Sequence, residues 1–231
     1  MQEKKLITEA QLNDILRAHE KWLRGDPDGV QADLSDCALP LVLLNRNFKK
    51  AILRGAVLCT VDAGGADFTK ADLREADFSM AVIEGCKFNN AKMQGAVLVA
   101  VTAIGASFLE ADLTKAHLGG GDFTACKFSK AVMREADLHD GIFFSAELAG
   151  TELEKSDLKD TNFGAADIRF ADLSETNCAG ADFNGASLDG SSLRQAYLCD
   201  TDLRHADLRR TNLSGTIMYG ADTEGTYFDQ P

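Results

Sequence analysis

Residues 66–80 read Ala66-Asp67-Phe68-Thr69-Lys70-Ala71-Asp72-Leu73-Arg74-Glu75-Ala76-Asp77-Phe78-Ser79-Met80, one five-residue unit written three times. The same frame holds outward from Phe48 to Phe228. Of its 37 positions, 33 are Phe, Leu, Ile or Met; the exceptions are Ala63, Ala103, Cys178 and Thr223. From Leu53 onward a small residue stands two before each large centre, as at Ala66, Ala71, Gly121, Thr151 and Ser156, and only Val61 and Val101 exceed Thr or Cys in size. Asp or Asn often separates the two. A period of five matches neither the 3.6 of a helix nor the 2 of a flat strand. It predicts a solenoid that turns a corner every five residues, with the centre and its small companion inside and three residues outside. The companion must be small because it shares a close-packed interior with a Phe or Leu.

This pattern resembles the pentapeptide-repeat family, whose consensus is roughly Ala-(Asp/Asn)-Leu-X-X, over about residues 30–231. The resemblance implies an all-β solenoid: a right-handed four-sided parallel β-helix with four pentapeptides per coil. The sequence supports twenty residues per coil on its own terms. Phe48, Phe68, Phe88, Phe108 and Phe128 then stack on one face, and Phe123, Phe143, Phe163 and Phe183 on the next. Stacked rings stabilise beyond their buried area. About nine coils rising by ~4.8 Å give a rod of roughly 40–45 Å. Leu34, Leu39 and Leu44 keep the spacing of five, but Phe48 follows only four later. The stretch 30–47 is therefore expected to hold an irregular first coil.

Two divisions are expected: an N-terminal α-helical cap with its linker over 1–29, and the β-helix over 30–231. Thr8-Glu9-Ala10-Gln11 reads as a capping box, Leu12, Ile15, Leu16, Trp22 and Leu23 share a helical face, and Gly25 and Pro27 end the helix. A solenoid end needs such a cover against edge pairing. The C-terminal coil continues the frame, so a monomer or a dimer through that coil is expected.

The chain has 231 residues with 24 basic and 36 acidic side chains, net −12. That balance disfavours direct nucleic-acid binding, which demands Lys and Arg. No apolar run approaches the roughly 18 residues of a membrane span, and Met1–Lys5 leads into no apolar signal core, so a cytoplasmic protein is expected. The six cysteines are read as free thiols; Cys86 and Cys126 would sit ~9.6 Å apart on one face, beyond disulfide reach. No catalytic constellation emerges and no cofactor is expected. His117 and His139 lie near Asp137 and Asp140 on adjacent coils, but their offset strains co-ligation of a metal. Gly119-Gly120-Gly121 lacks the Gly-Lys-Ser/Thr of a phosphate loop.

Charge and hydropathy leave two candidate partner surfaces. Nine acids, Glu135, Asp137, Asp140, Glu152, Glu154, Asp157, Asp160, Asp172 and Glu175, fall on two neighbouring faces of three successive coils. Outward positions elsewhere form an apolar stripe: Val57, Met80, Val82, Val97, Val99, Ile104, Ile142 and Phe144. Either suits a non-enzymatic interaction scaffold with a protein partner. The resemblance adds a second reading, since some bacterial members are acidic rods that mimic duplex DNA and occupy type II topoisomerases, DNA gyrase or topoisomerase IV. Those relatives dimerise through a C-terminal element and several carry projecting loops; no loop interrupts the frame here.

Overall fold

The computed structural model describes residues 4–229; the outer limits of the expected divisions, 1–3 and 230–231, lie outside the described residues. From the first coil onward the chain winds so that each repeat bridges, in parallel, the repeat one coil further along. One ladder runs Asp33, Ile52, Asp72, Lys92, Asp112, Val132, Glu152, Asp172, Ser192 and Asn212, and three others stand beside it. We number the four faces by their centres: one (Phe48, Phe68), two (Leu53, Leu73), three (Leu58, Phe78) and four (Ala63, Ile83).

Repeat 66–70 shows why five residues suffice for a side. Ala66 N–H donates to the Ala63 carbonyl at 2.9 Å, closing the preceding corner. Asp67 N–H reaches back one coil to Arg46 at 2.9 Å, and Phe68 N–H reaches forward to Lys87 at 2.7 Å. Thr69 N–H donates to the Asp67 carboxylate at 3.0 Å. Lys70, at φ +60°, donates to Asn89 at 2.9 Å. All five amides are thereby satisfied, which a buried or paired backbone requires. The acid before the centre serves the corner, the local turn chemistry of Asp and Asn.

The interior is built mainly of buried apolar side chains. Phe48, Phe68, Phe88, Phe108 and Phe128 stack with centroids 4.7–5.0 Å apart and planes within 6°. The second stack, Phe123 to Phe183, has spacings of 4.9–5.3 Å. The two small centres are compensated locally. Ala63 is accompanied by the larger Val61 and by Cys86, whose Sγ lies 2.9 Å from the Ala63 carbonyl oxygen; Ala103, Val101 and Cys126 repeat the arrangement at 2.9 Å.

At the N-terminal end, β1 (Lys5–Leu6) precedes α1 (Glu9–Leu23) and pairs in parallel with β2 (Cys37–Ala38), adding a rung to face three. The sequence reading did not anticipate β1. Thr8 and Gln11 form the reciprocal capping box, and Gly25, at φ +79°, follows the helix. Leu12 and Leu16 join the core of the first coil, while Trp22 and Leu23 stay half-buried. The expected frame through Leu44 is corrected: Leu43 is fully buried and Leu44 exposed. Asp33↔Ile52 and Ala38↔Val57 span one residue fewer than Val42↔Asp62. The missing residue falls at the Leu39-Pro40 corner, and the regular spacing of five resumes at Leu43.

Leu113 is a fully buried centre on face two. Leu113→Ala should cost about 2–5 kcal/mol by the cavity it leaves. Leu113→Asp should abolish the cooperative transition, because it buries an unpaired carboxylate. Denaturant unfolding checks both, and a wild-type midpoint for the Asp variant would remove Leu113 from the interior.

Candidate interaction surface

Three outward positions recur in each repeat: the residue before the centre and the two corner residues after it. Only the second corner position has positive φ. The nine acids divide accordingly. Glu152 and Asp172 precede centres on face two, Asp137 and Asp157 on face three; Glu154 is a first corner residue; Glu135, Asp140, Asp160 and Glu175 are second corner residues.

Ion pairing separates the two faces. On face two, Lys115 pairs with Glu135 (3.3 Å), and Arg134 with Glu152 (3.0 Å) and Glu154 (4.0 Å). Lys155 and Arg194 both reach Glu175, at 3.9 and 3.1 Å. Asp172 is left to its corner, accepting from Ser174 N–H at 2.9 Å. On face three, Asp160 has Lys159 at 3.5 Å, while Asp140 and Asp157 have no ion pair among the described residues. Asp157 accepts from Lys159 N–H at 3.1 Å. Uncompensated charge thus gathers on face three and its corner with face four. The sequence reading missed Asp200, which continues the corner column of Asp140 and Asp160 and is exposed without an ion pair; its spacing of twenty-residue multiples was the available signal. Gly180 and Gly220 leave room for these carboxylates, since a Cβ there would strike the Oδ1 of Asp160 and of Asp200.

Asp137 also sits between the two histidines. His139 Nδ1 is 2.5 Å from its Oδ1 and His117 Nδ1 3.9 Å from its Oδ2. The described residues contain no group of three or more His, Cys, Asp or Glu arranged to hold a metal ion. Gly119 leaves room for the His139 ring, its own Cβ position being 2.6 Å from Cε1. The cysteines are all free. Burial pushes the Cys86, Cys126 and Cys178 thiols up to about 12, which removes them as nucleophiles at neutral pH.

The expected apolar stripe is not one surface. Asp77 interrupts the rungs between Val57 and Val97, which are themselves half-buried, and Thr102 and Asp122 separate Val82 from Ile142. Two patches remain: Met80, Val82, Val99 and Ile104 along face four and its two flanking corners, and Ile142 with Phe144 two coils on. Exposed apolar residues that the sequence reading passed over include Leu41, Val42 and Leu44 on the first coil and Tyr197, Ile217 and Tyr219 on face three. No described helix is long and apolar enough to cross a membrane.

The hydrogen bond that His139 donates to the Asp137 carboxylate holds it above its ordinary 6.5, with partial burial opposing and the Asp137 charge adding to it. A folded value raised above the unfolded one stabilises below pH 6.5 and loses that contribution as pH rises through the raised value. Asp137→Asn should bring the His139 titration, followed by the imidazole proton signals in NMR, back towards 6.5. An unchanged midpoint would exclude Asp137 as the cause.

The pentapeptide-repeat model, described as Pentapeptide repeats, matches in eight overlapping copies spanning residues 51–230. None of the curated proteins matches the sequence. Among solved structures, the chain is similar to HetL, a pentapeptide repeat protein involved in heterocyst differentiation regulation from the cyanobacterium Nostoc sp. strain PCC 7120. The identity is 27% over 93% of this chain and 95% of that chain, with a TM-score of 0.60. Two trypsin-treated forms of QnrB1, a plasmid-mediated fluoroquinolone resistance protein, match at 20% and 19% identity. They cover 84% and 82% of this chain and 92% of theirs, with TM-scores of 0.51 and 0.53; this likeness speaks for the fold alone. The repeat model covers most of the chain, and the protein belongs to the pentapeptide-repeat family.

Proposed function

We propose that this protein is a non-enzymatic interaction scaffold that docks a protein partner on the acidic coils of face three and its corner with face four, with α1 closing the N-terminal end of the rod. The observation carrying this reading is the column Asp140, Asp160 and Asp200. These carboxylates are exposed corner residues rather than the acids before the centres that serve the backbone. Likeness to HetL, a protein involved in regulation, supports a binding role. Uncompensated charge on a rigid face steers encounter and selects a basic partner surface.

A second reading uses the same face: a duplex-DNA mimic that occupies a type II topoisomerase. The regular rise of the coils favours it, since successive rungs place carboxylates at multiples of ~4.8 Å along a straight axis, comparable to the ~3.4 Å axial step of phosphates in one strand. The patch of Met80, Val82, Val99 and Ile104 is the competing surface for a scaffold.

One set of variants tests these readings. Asp140→Lys, Asp160→Lys and Asp200→Lys together should weaken capture of the partner from host extract by about tenfold or more, and wild-type capture should fall steeply between 50 and 200 mM salt. Val82→Ser, Val99→Ser and Ile104→Ser should leave capture within about twofold. The reverse ranking would move the site to the apolar patch. In a gyrase supercoiling assay, inhibition by the wild type that the triple Lys variant loses would select the mimic. No inhibition at micromolar protein would retire it for that enzyme.

A further inference from the structure

His19 is titratable, fully buried, and set between α1 and two separate stretches of the first coil. Ala32 N–H donates to its Nδ1 at 3.1 Å, and its Nε2 lies 2.8 Å from the Lys49 carbonyl oxygen. A backbone amide can only donate and a carbonyl can only accept. The pair therefore admits one state, a neutral imidazole with its proton on Nε2. A second proton would have to occupy Nδ1, facing the Ala32 N–H, where it breaks that hydrogen bond and buries a charge against a donor.

The surrounding charges are committed elsewhere. Glu20, next on α1, is exposed and paired with Arg24 at 3.4 Å. On the first coil, Lys49 presents its carbonyl to the ring and its ammonium to Asp67 at 3.2 Å. Asp33, beyond Ala32, accepts from the Ser35 hydroxyl at 2.7 Å. Burial holds His19 below its ordinary 6.5, against the opposing effects of the Lys49 hydrogen bond and the Glu20 charge.

We propose that His19 is a proton-sensitive latch: neutral, it holds α1 on the first coil, and protonated, it releases the helix while the later coils stay folded. The later coils are independent of α1, because each contacts only its neighbours through its ladders. Release withdraws Leu12 and Leu16 from the core they share with the first coil, and frees the approach to Val42, which lines the cleft between α1 and that coil. Val42 is exposed, and its backbone N–H and C=O bond to no protein group among the described residues. Such an edge is a template for strand pairing. A histidine depressed in the folded state contributes its full docking strength above pH 6.5, and loses it as pH falls through the lower folded value.

The molecule carries its own probe. Trp22, the single tryptophan, stacks on the His19 ring with centroids 5.5 Å apart and planes at 14°. Trp22 emission and amide hydrogen exchange are measured on the full chain and on His19→Gln between pH 7.5 and 5. In the wild type, α1 protection, corrected for intrinsic exchange, should fall by up to about tenfold per pH unit below 6.5. Trp22 emission should change over the same range, and amides from residue 71 onward should hold. His19→Gln should show no such pH dependence. Constant α1 protection in the wild type, or the same acid response in His19→Gln, overturns the latch. If His19→Gln is already undocked at pH 7.5, the imidazole titration of the wild type decides by NMR: a His19 midpoint below 6.5 supports the latch, and one at or above 6.5 overturns it.

Discussion

Every five residues the backbone must turn a corner and still place each amide, and the solution is a hydrogen bond to the residue one coil away. That bond sets the rest. It forces the second corner residue into the left-handed region, where, among the described residues, 25 other than glycine stand. Isolated, each such residue costs about 1–2 kcal/mol. A backbone hydrogen bond nets only about 0.5–1.5 kcal/mol. The two are close, so the arrangement persists only because the same conformation also aims a centre side chain into the stack. Burying a Phe or Leu there adds about 1.5–3 kcal/mol per repeat. Corner, ladder and stack therefore stand or fall together, which leaves little room for an inserted loop.

Much of this was legible from residue spacing, because the period, the Phe stacks and the small companion all express interior volume. Val61 and Cys86 beside Ala63, and Val101 and Cys126 beside Ala103, explain the departures from the consensus: the interior conserves volume both within a repeat and across the next coil. What was not legible is equally physical. Leu43 and Leu44 are adjacent and identical, so spacing alone could not say which turns inward once the Leu39-Pro40 corner had lost a residue. β1 is too short to carry a period. The burial of His19 depends on backbone groups 13 and 30 residues away, and no side-chain pattern announces a carbonyl.

The surface was readable as charge but not as available charge. Asp at the position before a centre is recruited by the corner amide, as Asp137, Asp157 and Asp172 are by His139, Lys159 and Ser174. Counting such acids overstates what a partner meets. The first and second corner residues have no comparable backbone duty, and their pairing is decided by the basic residues that happen to stand on the next rung. Lys115, Arg134, Lys155 and Arg194 occupy those places on face two, so a net charge of −12 for the chain becomes a nearly balanced surface there.

A solenoid therefore separates two roles that globular domains mix. Residues inside and before the centres answer to the coil, and substituting them tests the fold. Corner residues answer to whatever lies outside, and because corners repeat every twenty residues they form straight columns whose chemistry can drift without disturbing the stack. Along the corner between faces three and four the column runs Thr60, Met80, Ala100, Gly120, Asp140, Asp160, Gly180, Asp200 and Gly220. It passes from neutral and apolar to acidic within a single backbone geometry. Two different partner chemistries can then sit end to end on one rod, set apart by position in the column alone.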